Sequence, residues 1–285
     1  MDTATVSGTI QAATKFIEAG ESKLAYRTIG EGKPIIWCNR FRGTMDDWDP
    51  AFIDRLAKKY QVVIFDYTGV GLSTGELALD IASVAEDVQL LASELKLQKF
   101  IIGGWSYGGF VAQVFSVQYP EMITHTILIG TKPPGKTDYP SEQVFFDVAL
   151  KVKNDLEDEV VLFFEPASKK SRKAAKASHE RIAQRTNDKD FPVPEAVWSR
   201  YITGGKVFEA DDMQARKRLA QLKTPVLVIS GDHEIVFPVQ NWYALTGKMP
   251  NLYLFVLPKA GHGPQHQYPK LCARFISNFI EHYYH

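Results

Sequence analysis

Short apolar runs alternate with amphipathic segments along most of this chain. Pro34–Cys38, Val62–Phe65, Phe100–Gly103, Thr126–Ile129, Pro225–Ser230 and Leu252–Leu257 read as buried strands. Residues 14–18 and 23–29 predict a strand pair joined at Gly20-Glu21-Ser22. Between the strands lie helical patterns: one over about 48–59, one from Tyr107 to about Tyr119, and one capped by Asp80 that runs to about Leu95. In the last, Ile81, Val84, Ala85, Val88, Leu91 and Leu95 recur at helical spacing. Each of the final two strands is followed by a loop and then a helix. Strand and helix in alternation predict βαβ units, hence an α/β fold with a mostly parallel sheet flanked by helices.

The alternation stops at residues 131–222. Pro133-Pro134-Gly135 breaks the chain, and helices are expected over about 141–153, 157–164, 167–186 and 209–221, with no strand of core quality among them. A helical insertion between two strands reads as a lid over the strand C-terminal ends, the edge where open α/β sheets bind ligands. The expected organisation is therefore a core of residues 1–130 and 223–285, with residues 131–222 as the lid. Phe145, Phe146, Phe163, Phe164 and Trp198 would pack the lid or form an apolar substrate wall. The basic run Lys169–Lys176 reads as a solvated helix face, with an anion-selecting rim as the alternative.

Composition narrows the classes. The 285 residues are 45% hydrophobic and 23% charged, enough for a large core. Lys+Arg and Asp+Glu both number 33, so the basic excess of a nucleic-acid binder is missing and a small-molecule partner is expected. The N-terminal stretch shows no apolar segment after a basic start, and no apolar run reaches membrane-spanning length. The two cysteines, Cys38 and Cys272, read as reduced core thiols, which fits a cytoplasmic location. Oligomeric state is not legible.

Chemistry concentrates in Gly104-x-Ser106-x-Gly108, which follows an apolar run and precedes a helical pattern. Strand, sharp turn and helix are the context of a nucleophile elbow, where a strained serine stands free above the sheet and glycines two residues either side avoid a clash. A serine hydroxyl needs a base to take its proton. Of seven histidines, His262 in Ala260-Gly261-His262-Gly263, just after the last strand, is the candidate. His125 starts a strand and reads as structural; His179 lies in the lid; His282 and His285 are in the tail; His266 could at most line the pocket; His233 belongs to the acid loop. The base in turn needs a carboxylate. The loop Gly231-Asp232-His233-Glu234-Ile235-Val236-Phe237-Pro238 offers Glu234 and Asp232, whereas Gly130-Thr131-Lys132 carries no acid. No metal-ligand cluster is visible, and Gly69-Val70-Gly71 lacks the third glycine of a dinucleotide fingerprint, so no cofactor is expected.

Together with Phe41-Arg42-Gly43, Asp47-Trp48-Asp49-Pro50 and Phe65-Asp66-Tyr67-Thr68-Gly69-Val70-Gly71-Leu72-Ser73, these motifs make nearly the whole chain resemble the α/β-hydrolases. It looks closest to a microbial subgroup sometimes labelled chloroperoxidase-like. The resemblance implies the acid three residues after the loop glycine and four before the proline, which is Glu234, with Asp232 as the alternative. It also implies an oxyanion hole from the backbone N–H groups of Tyr107 and Phe41. Many members carry His-Gly where this chain has Asn39-Arg40. Arg40 and Arg42 would add positive charge near the acyl oxygen or pair with Asp46 or Asp47; Trp105 would shape the pocket floor or the core. Haloalkane dehalogenases and epoxide hydrolases of this fold use aspartate as nucleophile, and residue 106 is serine. The function implied is a Ser-His-Glu hydrolase of an ester, lactone or related acyl bond in a small, largely apolar molecule. The alternatives are a cofactor-free haloperoxidase or perhydrolase activity on the same triad, and a slow-turnover ligand receptor.

Overall fold

The computed structural model describes residues 8–282; residues 1–7, part of the N-terminal stretch read above, and His285 lie outside it. Eight strands form one sheet: β1 (Lys15–Ala19), β2 (Ser22–Ile29), β3 (Lys33–Cys38), β4 (Tyr60–Phe65), β5 (Phe100–Trp105), β6 (Ile123–Ile129), β7 (Val226–Gly231) and β8 (Leu252–Leu257). Their order is β1-β2-β4-β3-β5-β6-β7-β8. β2 runs antiparallel to both β1 and β4, and every other pairing is parallel. Every residue of β5 and β7 is buried, as expected of parallel strands covered on both faces.

Several strands extend past their apolar runs. β6 begins at Ile123 rather than Thr126, because Ile123 pairs with Phe100 and His125 with Ile101 across a register shift. Pairing to β5 carries Thr124 and His125 into the ladder, which hydrophobicity alone does not reveal. One face of the sheet is covered by α2 (Ile81–Glu94), α3 (Tyr107–Gln118) and residues further along the chain; the other by α1 (Pro50–Leu56) and α11 (Pro269–His282). Asp80 caps α2 by accepting from the Ser83 N–H at 2.8 Å. The helix expected over 48–59 is shorter: a 3-10 turn at Met45–Asp47 comes first, and Asp49 caps α1 ahead of Pro50.

Between β6 and β7 lie α4 (Gln143–Ala149), α5 (Leu156–Phe163), α6 (Lys169–Ile182), α7 (Glu195–Ala210) and α8 (Ala215–Gln221). The sixteen residues of α7 correct the sequence reading, which assigned no helix there until 209. Gly204-Gly205 lowers helix propensity and masks the pattern. Gly204 is there for approach: a Cβ would stand 2.9 Å from the Tyr107 hydroxyl. With Trp198, Tyr201 and Phe208 it forms the buried face of α7, which packs on α2 and α3. α8 also packs on α3, whereas α4, α5 and α6 pack in series and reach α1 and a short helix, α10 (Pro264–Gln267), which follows the equally short α9 (Gln240–Tyr243) in the chain. The segment is thus divided, its last two helices on the α2 and α3 side of the sheet and its first three meeting the core through α6, on α1 and α10. The lysines of 169–176 are exposed on α6. Cys38 and Cys272 are buried and not disulfide-bonded, and burial pushes both thiols above their usual range. Among the described residues no helix is long and apolar enough to cross a membrane.

Candidate active site

β5 ends at Trp105, and the chain turns into α3 through Ser106 at φ 59°, ψ −119°. That positive-φ conformation, outside the left-handed helical region, is costly for a residue with a Cβ and is held by backbone bonds. The Ser106 N–H donates to the Ile129 carbonyl of β6 at 2.9 Å, and the Ser106 carbonyl accepts from the Gly109 N–H at 2.9 Å. The glycines of the motif have steric causes. A Cβ on Gly104 would collide with the Gly108 carbonyl, and one on Gly108 with the carbonyl of Cys38 at the end of β3. The turn therefore closes only with glycine at both places.

His262 lies in the loop after β8 and Glu234 in the loop after β7. The His262 Nδ1 stands 2.9 Å from Glu234 Oε1 and 2.8 Å from Oε2, with the two side chains 2% and 0% exposed. A carboxylate acceptor there places the ring proton on Nδ1 and leaves Nε2 as a base. Glu234 Oε1 also accepts from the Val236 N–H at 2.8 Å and the Phe237 N–H at 3.2 Å, so the carboxylate cannot swing away without losing backbone bonds. Asp232 is exposed and its Oδ1 accepts from the Ala260 N–H at 3.3 Å, bridging the two loops instead of meeting the imidazole. The Trp105 indole N–H donates to the His262 carbonyl at 2.8 Å, tying the histidine loop to the residue before Ser106. Trp105 is both core and pocket wall.

Ser106 and His262 open onto one cavity of about 390 Å³, also lined by Arg40, Phe41, Phe145 and Phe163. That size suits a small-molecule site. Phe145, Phe163 and Phe237 surround the His262 ring at centroid distances of 6.4, 6.4 and 5.8 Å. Phe164 also borders the cavity, whereas Phe146 is 44% exposed on α4 and Trp198 packs on the core. His266 lines the cavity against Trp105, at 4.7 Å between rings; burial drives its pKa down to about 4.

The Tyr107 N–H sits in the first turn of α3, where no intrahelical carbonyl reaches it. Phe41 borders the cavity, its ring edge-on to Tyr201 at 5.4 Å. The preceding Asn39 is locked: its Nδ2 donates to the Phe65 carbonyl at 2.7 Å, its Oδ1 accepts from the Trp48 indole at 2.7 Å, and its carbonyl accepts from the Tyr67 hydroxyl at 2.9 Å. An asparagine thus gives this loop a defined path without the His-Gly pair.

Arg40 lies over Trp105 and Phe163, its guanidinium carbon 5.4 and 4.9 Å from their ring centroids, and donates to Asp47 Oδ1 at 2.6 Å. Arg42 also lines the cavity, but its hydrogen bonds go to backbone carbonyls rather than to Asp46 or Asp47. It donates to the Ala149, Lys151 and Val152 carbonyls at and beyond the end of α4, and stacks 3.7 Å over Trp198. Free carbonyls at a helix C-terminus attract a cation, so Arg42 fastens α4 to the loop after β3.

One wall went unread in the sequence. Glu159 of α5 and His179 of α6 both line the cavity, and the His179 Nδ1 lies 3.0 Å from each Glu159 carboxylate oxygen. The signal was the spacing of Glu159 and Phe163, which stacks two residues one turn apart on a single helix face.

The sequence model of the alpha/beta hydrolase fold family matches residues 33–269. The chain is 26% identical over 273 residues to the AB hydrolase superfamily protein YclE of Bacillus subtilis, covering 90% of this chain and 95% of that one. It is 26% identical over 191 residues to the pimeloyl-(acyl-carrier protein) methyl ester esterase of Wigglesworthia glossinidia brevipalpis, covering 65% and 71%. Among solved structures, an alpha/beta hydrolase fold protein from Chitinophaga pinensis superposes with a TM-score of 0.86 at 28% identity, covering 97% of this chain and all of that one. With the strand order, the elbow and these matches agreeing, the chain belongs to the alpha/beta hydrolase fold family.

Proposed function

We propose that the protein is a serine hydrolase that cleaves a carboxylic ester, lactone or related acyl bond of a small molecule through Ser106, His262 and Glu234. The observation that carries this reading is the buried, two-oxygen contact of Glu234 with His262 Nδ1 on the cavity that Ser106 also faces. In the reaction, Ser106 Oγ attacks the carbonyl carbon while His262 Nε2 takes its proton. The N–H groups of Tyr107 and Phe41 hold the developing oxyanion. The tetrahedral intermediate collapses, the C–O bond to the leaving group breaks, and His262 returns the proton to the departing oxygen. Water then repeats the sequence on the acyl-serine, releasing the acid and restoring Ser106. Glu234 stabilises the imidazolium in both halves and keeps its ring proton on Nδ1. Within the insertion, the part of the lid would fall to helices α4 to α6, a reading supported by Phe145, Phe163 and Ser178, which line the same cavity as Ser106.

The test compares wild type with Ser106→Ala, using a fluorophosphonate probe and p-nitrophenyl ester hydrolysis. Wild type should label and turn over; the variant should lose labelling and at least about ten-thousandfold in kcat/KM. An unlabelled wild type would sink the hydrolase reading. Turnover that survives Ser106→Ala would remove the assigned nucleophile.

A further inference from the structure

The cavity has two chemically different ends. Around His262 it is aromatic, through Phe145 and Phe163. Four residues back along α5 from Phe163, about 6 Å of helix rise, stands Glu159. Arg40 bears on both ends, lying over Phe163 and close enough to Glu159 to lower its pKa.

The carboxylates on the cavity wall are not alike in their partners. Among the described residues, Asp46 meets the Arg27 and Arg185 guanidinium groups at 2.6 and 3.2 Å, Asp190 meets Arg27 at 3.0 Å, and Asp47 meets Arg40 at 2.6 Å. Each of those is paired with a permanent cation. Glu159 alone in this set is paired with a histidine, which carries charge only when protonated. Its side chain is 28% exposed and that of His179 44%, so both remain open to a ligand. One N–H from His179 shared between two oxygens leaves most of the carboxylate's acceptor capacity unused. Burial pushes Glu159 above the usual carboxylate range, with His179, then Arg40, lowering it and Asp47 raising it.

We propose that Glu159, assisted by His179, binds a cationic ammonium group on the substrate, remote from the acyl bond cleaved at Ser106. The substrate class is thus an ester or related acyl compound whose chain passes the Trp105–Phe163–Arg40 stack and ends in a protonated amine. The Glu159 carboxylate accepts the ammonium N–H bonds, and His179 Nδ1–H holds the carboxylate in place. This assignment rests on the hydrolase reading for its reaction, but the binding site stands on its own geometry.

The test uses three matched substrates: p-nitrophenyl hexanoate, its ω-hydroxy analogue and its ω-amino analogue. Wild type should favour the ω-amino ester in kcat/KM, and Glu159→Gln should cut that value by about tenfold while changing hexanoate by less than about twofold. Glu159→Lys should abolish the amino preference. An equal loss on all three esters would reduce the pair to a structural tie between α5 and α6. No amino preference in wild type, or an equal preference for the hydroxy ester, would overturn the cationic assignment. Titration calorimetry with hexylammonium and hexanol reads the site without turnover. Tighter binding of the ammonium that is lost in Glu159→Gln supports the site even should no ester be hydrolysed; equal binding of both ligands refutes it.

Discussion

The sheet edge and the helical insertion each carry a histidine paired with a glutamate, and the two pairs are almost the same in length. His262–Glu234 is 2.8–2.9 Å and His179–Glu159 is 3.0 Å. Their support differs. Glu234 is fully buried, sits in a loop leaving β7, and accepts two backbone N–H bonds besides the imidazole. Glu159 and His179 ride on separate helices and are partly open to the cavity. A hydrogen bond in a dry, rigid surrounding is electrostatically stronger and holds one geometry; the same bond on a wet wall can exchange partners. The first arrangement suits orienting a base through a reaction cycle, the second meeting a ligand.

The comparison breaks most sharply at the acid. Glu234→Gln keeps the shape but lets the amide impose the wrong tautomer on His262, and should cost about a thousand- to ten-thousandfold in ester kcat/KM. Asp232→Asn, at a side chain that accepts from the Ala260 N–H, should stay within about twofold. Parallel kinetics on one p-nitrophenyl ester decide it. A larger loss at Asp232 would transfer the acid role to the exposed carboxylate, and the contrast in burial would then carry no functional lesson.

A smaller effect separates chemistry from attachment. Arg27 on β2 is buried and joins Asp46, Asp190 and the Asp188 carbonyl, so it couples the sheet to the chain between α6 and α7. Arg185 adds a second cation, donating to the Ile10 and Ala12 carbonyls at 2.9 and 3.0 Å. Arg27→Met leaves the fully covered Asp190 carboxylate and the largely covered Asp46 carboxylate with half their counter-charge. We expect about 3–5 kcal/mol of lost stability in urea unfolding, with ester kcat/KM near wild type at low denaturant. A loss under about 1 kcal/mol would mean that apolar packing, not this ion network, attaches the insertion.

These contrasts also mark what the chain discloses before folding. The parallel sheet was legible because its strands are apolar on both faces, and the elbow because its glycines answer to two backbone collisions. Ser106, Glu234 and His262 were legible as candidates because each follows a strand that ends at the same sheet edge. α7 escaped because Gly204 was chosen for the approach to Tyr107, a tertiary demand that lowers the local helix signal. Arg42 escaped for a similar reason: its acceptors are carbonyls more than a hundred residues away, and no periodicity records such a bond. Glu159 and His179 are ordinary polar helix residues until α5 and α6 face the cavity.

The junction between the two regions gives the subtlest prediction. His266 on α10 lies against Trp105, and its Nε2 faces the Asp49 N–H at 3.4 Å; Asp49 itself is bound by Arg181 of α6 at 2.8 and 2.5 Å. Burial holds the His266 pKa at about 4; Asp49 and Asp47 raise it, while Arg40 and Arg181 lower it. An unfolded histidine titrates near 6.5, so between the two values the unfolded chain binds one more proton than the folded one. Stability from this residue is therefore complete above about pH 6.5 and falls as the pH drops towards 4, by about 3 kcal/mol over the window. His266→Gln keeps an acceptor at the Nε2 position without a titrating group. Between pH 7 and 4 the wild type should lose about 3 kcal/mol more unfolding free energy than the variant. A constant separation across that range would show that His266 titrates in the fold as it does unfolded, and that the boundary between sheet edge and insertion is wetter than its burial implies.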